Sequence, residues 1–223
     1  MVFKIKLVIL DYDLTLVNNI IDFYISFSEA LEKFTGKTLT FNEFYNYLAR
    51  DELINILPDS IDQWVFWREM RRRICSSHTL IPSRGVKEFL YTTSFFNIKN
   101  VIVSGKECHP KYLELELEKI GIRDYVDGIY TFYSLQILNG VEETLFDKSW
   151  LLKYVVNKYK VDPLETVYIG DYKMDYYSSL KAGVNFIGLA SLPSRAKMFK
   201  EIGTKYVARD FYEALYLLLR IKR

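Results

Sequence analysis

Short apolar runs that stop at a carboxylate or a small polar residue, each followed by a helix-periodic segment, recur along most of this chain. Phe3 to Leu10 is rich in Val, Ile and Leu and ends at Asp11; Asn100 to Val103 ends at Ser104-Gly105; Thr166 to Ile169 ends at Gly170-Asp171. Runs this short and continuously apolar suit strands buried on both faces. Gly128 to Phe132, Asn185 to Leu189 and Lys205 to Val207 read as further strands. Between the strands lie helical segments: Ser83 to Thr92, Lys111 to Ile120 closed by Gly121, Lys148 to Tyr159, Asp175 to Ala182 closed by Gly183, and Phe211 to Ile221. This alternation predicts an α/β fold, a doubly wound parallel sheet with helices on both faces.

The alternation is interrupted once, directly after the first strand. Ile20, Phe23, Tyr24, Phe27, Leu31 and Phe34 recur at helical spacing up to Gly36. Thr40 to Leu53 and Ser60 to Ile74 follow as helices, with Thr40/Glu43 and Ser60/Gln63 at capping-box spacing. Residues 17–81 therefore read as an all-helical, aromatic insert, a small cap domain on a core made of residues 1–16 and 82–223.

Half of the 223 residues are apolar and about a quarter are charged, with a net charge of +2. That composition excludes a disordered chain and gives no electrostatic case for nucleic acid as a partner. The two cysteines, Cys75 and Cys108, lack zinc-site spacing and suit a reducing, cytoplasmic setting. Neither an apolar run long enough for a membrane span nor a signal-peptide pattern is present, so no membrane partner is expected. Arg68, Arg71, Arg72 and Arg73 spread over more than one helix face and read as solvated surface, with an anion-binding group as the alternative.

In an open parallel sheet, ligands bind beyond the carboxyl ends of the strands. Asp11, Asp13, Ser104 and Asp171 occupy such ends. Asp11 and Asp13 are two apart on an extended segment and point the same way. Their repulsion calls for a cation or a proton, and Mg²⁺ accepts carboxylates together with phosphate oxygens. Asp171 would add a third carboxylate, Asp175 would support it from behind, Ser104 and nearby backbone N–H groups would bind phosphate oxygens, and Lys148 would neutralise developing negative charge. Taken singly, the carboxylate pair reads equally as a loop or helix cap, and Ser104-Gly105 and Lys148 read more readily as a turn and a solvated helix residue; their order and placement carry the functional reading.

With these motifs the chain resembles the haloacid-dehalogenase-like (HAD) hydrolases. The resemblance rests on Asp11-Tyr12-Asp13-Leu14-Thr15 after a strand, Val101-Ile102-Val103-Ser104, Lys148 opening a helix, and Gly170-Asp171-Tyr172-Lys173-Met174-Asp175. It implies a Rossmann-like core and a phosphatase branch with a C1-type helical cap, like phosphoglycolate phosphatase and β-phosphoglucomutase. Asp11 would be the nucleophile forming an aspartyl phosphate, and Asp13 the acid/base. Asp11, the Asp13 carbonyl and Asp171 would hold Mg²⁺, with Asp175 in the surrounding shell. Thr15, Ser104, Gly105 and Lys148 would bind phosphate, and Thr15 would also support the first loop. Asp13 favours phosphate over carbon–halogen chemistry, since the dehalogenase branch lacks it. Ser149 after Lys148, and Asn18-Asn19 after the first motif, depart from the common pattern. The expected activity is a Mg²⁺-dependent phosphatase for a small phosphorylated metabolite. The alternatives are a phosphomutase or a non-catalytic binding protein; substrate and oligomeric state stay open.

Overall fold

In a computed structural model of the chain, residues 4–75 and 78–221 are described; Phe3, at the start of the first expected strand, lies outside them. The elements, in chain order, are β1 (Leu7–Leu10), β2 (Val17–Asn18), α1 (Ile20–Thr35), α2 (Phe41–Arg50), α3 (Gln63–Arg73), β3 (Ile81–Pro82), α4 (Val86–Phe95), β4 (Lys99–Ser104), α5 (Lys111–Lys119), β5 (Gly128–Thr131), α6 (Phe132–Ile137), α7 (Ser149–Tyr159), β6 (Thr166–Gly170), α8 (Lys173–Ala182), β7 (Asn185–Leu189), α9 (Pro193–Glu201), β8 (Val207–Ala208) and α10 (Phe211–Leu218). Six strands form one parallel sheet in the order β5-β4-β1-β6-β7-β8, the doubly wound arrangement that the alternation predicts.

Alternation along β1 explains why both sheet faces are covered. Val8 and Leu10 join Phe89 and Leu90 of α4 and Phe211 of α10 in one apolar cluster. Leu7 and Ile9 join Leu151, Leu152 and Val155 of α7 in another. Register then decides where function sits. Leu10 is level with Ile102 of β4 and Ile169 of β6, so the segments from Asp11, Ser104 and Asp171 leave the sheet at one edge.

The insert has its own apolar cluster, centred on Phe27, Phe44, Phe66, Trp67 and Met70. Phe44 is fully buried, its ring 5.4–5.9 Å from those of Phe23, Tyr24 and Phe27. Aromatic burial of this kind contributes about 3–5 kcal/mol per ring when measured by truncation.

Local expectations hold unevenly. Thr40 and Glu43 form the capping box, and Gly36 ends α1 in a left-handed conformation. The Ser60/Gln63 box does not form. Asp62 caps α3 instead, accepting from Trp64 N (2.8 Å) and Val65 N (3.2 Å), because it directly precedes the first helical turn. Nor is the insert wholly helical. At its two ends β2 and β3 pair antiparallel, Val17 with Pro82 and Asn18 with Ile81. Two-residue strands carry no readable period, and Pro82 is tolerated because this ribbon is all edge. Helix α4 starts later than expected, at Val86, after the cap residue Gly85, whose φ of +80° a side chain would strain and whose Cβ would lie 2.8 Å from the Tyr212 ring.

Candidate active site

The loop after β1 is shaped before any ligand is considered. Asp11 N donates to Ile169 O at 2.9 Å, continuing the ladder one residue past the strand. The chain then turns, with Leu14 in a left-handed conformation at φ 58°. Asn19 secures this turn: its Nδ2 donates to Asp13 Oδ1 at 2.6 Å and its Oδ1 accepts from Leu14 N at 3.2 Å. Asn19 precedes α1 without capping it by its side chain, which is committed to the loop instead. In sequence Asn19 is visible only as a departure from the common pattern. A short amide just beyond a carboxylate pair is the signal that could have found it.

Three expected carboxylates converge. Asp11, Asp171 and Asp175 are buried, and one oxygen from each lies within 4.8 Å of the others. Lys148 Nζ is 2.5 Å from Asp11 Oδ1, 2.9 Å from Asp175 Oδ1 and 3.2 Å from the Tyr168 hydroxyl. Thr15 Oγ1 shares its proton between Asp11 Oδ2 (3.3 Å) and Asp171 Oδ1 (3.2 Å). Asp175 also accepts from Tyr168 Oη at 2.7 Å and from Tyr172 N at 3.1 Å. Gly170 permits this, since a Cβ there would lie 2.5 Å from Asp175 Oδ2.

Asp13 sits in a second ionic group. Its Oδ1 is 3.3 Å from Lys106 Nζ, which is fully buried, 3.4 Å from Glu116 Oε2 and 4.7 Å from the centre of the Tyr12 ring. Tyr12 donates to Glu116 Oε2 at 2.6 Å. Asp11 and Asp13 thus face one cavity but rest against different cations, because the turn after Asp11 ends the extended alternation. Ser104 is buried at the end of β4, where its Oγ accepts from Lys106 N at 3.2 Å, and Gly105 lines the cavity. Lys106, Glu116, Tyr168 and Arg195 escaped the sequence reading. Only the position of Lys106, two residues past a strand end, hinted at a role.

Burial governs the electrostatics. It drives the Asp11 carboxyl well above its ordinary value, with Lys148 pulling the other way and Asp175 and Asp171 adding to the rise. Asp13 is raised by burial against the opposing Lys106 ammonium and Asn19 amide. Asp171 is pushed up to about 6 by burial, opposed by Arg195. For Lys106 burial acts downward, yet Asp13 and Glu116 hold the ammonium above its ordinary value. Five carboxylates here (Asp11, Asp13, Glu116, Asp171, Asp175) face three cations (Lys106, Lys148, Arg195). A further positive charge would relieve the excess. An all-oxygen donor set fits a hard divalent ion, so Asp11, Asp171 and Asp175 could hold a metal.

Above this floor lies a cavity of about 130 Å³ roofed by the insert. Arg71 departs from the solvated reading. It is buried, 2.7 Å from Glu142 and 3.1 Å from Glu107, and 4.8 Å from the centre of the Phe132 ring. One helical turn after Trp67, it shares that residue's buried face. Arg68 and Arg72 remain largely exposed, each paired with Glu107.

A family model described as haloacid dehalogenase-like hydrolase matches residues 8–189. No curated protein matches the chain. Among solved structures, a predicted phosphoglycolate phosphatase from Haemophilus somnus is similar at 18% identity and TM-score 0.69, over 97% of this chain and 99% of that one. A predicted phosphatase from Clostridium acetobutylicum is similar at 15% identity and TM-score 0.73, over 99% and 100%. CbbY from Rhodobacter sphaeroides, in complex with xylulose-(1,5)bisphosphate, is similar at 14% identity and TM-score 0.65, over 93% and 95%. At these identities the likeness is one of fold.

Proposed function

This chain belongs to the haloacid dehalogenase-like hydrolase family, and we propose that it is a Mg²⁺-dependent phosphatase of a small phosphomonoester, working through an aspartyl phosphate. The observation that carries this reading is the meeting of Asp11, Asp171 and Asp175 with Lys148 at the carboxyl edge of the sheet. Residues 17–81 act as a cap on a core of residues 1–16 and 82–223, excluding water from the reaction.

Asp11 attacks phosphorus with one carboxylate oxygen, and the bond from phosphorus to the ester oxygen breaks. Asp13 gives its proton to that oxygen, so a neutral alcohol leaves. A raised affinity for protons suits Asp13 to this role, because burial keeps it protonated at a pH where an exposed carboxyl would be ionised. Water then attacks the acyl phosphate, Asp13 takes up the proton, and inorganic phosphate departs with Asp11 restored. Lys148 holds Asp11 in place and balances negative charge on the phosphoryl oxygens, beside donors from Ser104 and Gly105. Asp11, Asp171 and the Asp13 carbonyl would hold Mg²⁺, with Asp175 behind them, and the ion would offset the charge of the transferring phosphoryl group. Thr15 keeps Asp11 and Asp171 at their spacing.

The test is phosphate release across a panel of phosphate esters with Mg²⁺, run beside Asp11→Asn. Release by the wild type and a loss of at least about 10³-fold in the variant is expected; full activity in Asp11→Asn would sink the mechanism.

A further inference from the structure

Chemistry at the floor of the cavity says nothing about which alcohol the phosphate is attached to; the roof does. The insert turns Phe23, Leu48, Ile54, Trp67 and Met70 into the cavity, joined by Phe146 from the segment before α7. Most of the polar groups among them are already committed. Trp67 Nε1 donates to Gln63 Oε1 at 3.3 Å. Arg71 gives its two terminal nitrogens to Glu142 and Glu107, while its buried Nε has no hydrogen-bond acceptor. Asp51 is 2.5 Å from Lys173 Nζ. Arg195 leaves its Nε without a hydrogen-bond acceptor, but that nitrogen faces Asp171 at 3.9 Å, on the phosphoryl side of the cavity.

We propose that the substrate is a phosphomonoester of an apolar alcohol, a short branched alkyl group, in place of a sugar or a phosphorylated acid. The proposal rests on the phosphatase reading above. A sugar hydroxyl turned toward this roof would exchange water for rings and branched chains, losing roughly tenfold or more in affinity for each unmade hydrogen bond. A second anionic group would compete for the terminal nitrogens of Arg71 with the two carboxylates already on them. An alkyl chain loses nothing there, and each buried methylene adds about fourfold in affinity. Size sets the upper limit: about 130 Å³ is slightly less than the roughly 150 Å³ apolar cavity that accepts benzene, and the phosphoryl group occupies part of it, so a ring as in benzylphosphonate should gain less than the branched chain.

The experiment has two arms on the full chain with Mg²⁺. Calorimetry compares methylphosphonate, 3-methylbutylphosphonate, benzylphosphonate and phosphonoacetate. The 3-methylbutyl compound should bind on the order of a hundredfold tighter than methylphosphonate, while phosphonoacetate gains nothing. Turnover compares 3-methylbutyl phosphate with glycerol phosphate, esters of alcohols with similar leaving ability, and should favour the former in kcat/KM by at least about tenfold. Ile54→Asn, at a partly exposed site that tolerates a polar side chain, should erase most of the gain from the longer chain. Equal phosphonate affinities, tighter phosphonoacetate, or preferred turnover of glycerol phosphate would overturn the inference. Tight 3-methylbutylphosphonate binding with no phosphate released from any ester would keep the apolar site and remove the phosphatase reading instead.

Discussion

At the carboxyl edge of the sheet five carboxylates and three cations pack against one another, while the insert facing them across the cavity presents rings and branched chains. The two surfaces differ in how they tolerate change. On the floor each charge is held by a buried partner, so removing one leaves another uncompensated in a poorly solvated place. On the roof the contacts are non-directional, and a side chain can change volume or branching at modest cost. A fold arranged this way can keep one reaction while its leaving-group preference drifts.

Substitutions can break or sharpen that contrast. The largest expected effect is Asp13→Asn: kcat for alkyl esters should fall by about 10²–10⁴-fold, and for an aryl ester with a good leaving group by much less. Equal losses for both classes would remove Asp13 as the proton donor. Lys148→Met should come next, since it strands Asp11 and Asp175 as unpaired buried carboxylates. A loss of about 3–5 kcal/mol in urea unfolding is expected, partly recovered by Mg²⁺ and not by Na⁺. A roof substitution of similar size, Ile54→Asn, should show no such metal-dependent recovery.

Asp171 offers a pH test. Its carboxyl is raised in the fold to about 6, from an ordinary value of 3.8. The folded state therefore holds the proton more tightly, and the metal-free protein loses stability as pH rises from about 4 to about 6, by up to about 3 kcal/mol from this group. Asp171→Asn should flatten that part of the melting-temperature profile. Mg²⁺ stabilisation should be weak below pH 6 and full above it, because the ion competes with the proton. A profile unchanged by the substitution would count against this electrostatic picture. The smallest effect separates two arginines of one helix: Arg71→Ala should cost about 3 kcal/mol by leaving Glu142 without its cation and Glu107 with only its two exposed arginines, whereas Arg68→Ala, largely exposed, should cost less than about 1 kcal/mol.

Most of the sheet was legible because its strands are buried on both faces and leave unbroken apolar runs; Asn185–Leu189 coincides with its expected bounds. Helices α6 and α9 were not read, being short and weakly periodic, and neither was the β2–β3 ribbon, whose signal lies in pairing across sixty-odd residues of intervening chain. At the site, the side chains that stand at strand ends were legible, since topology brings strand ends together in any sheet of this kind. Lys106 and Glu116 were not: a lysine in a loop and a glutamate on a helix look solvated until the packing around Tyr12 buries them.

What the sequence determined by itself was the order of the six sheet strands and most of their helices, the place of the insert and the residues at the sheet's carboxyl edge, because periodicity and turn chemistry are local. Tertiary structure alone decided which cation each carboxylate rests against, that Arg71 is buried while Arg68 is not, and that the insert's apolar side chains roof the cavity. Those outcomes depend on distances between residues far apart in the chain, and on the desolvation that sets their energies, neither of which is written in any local pattern.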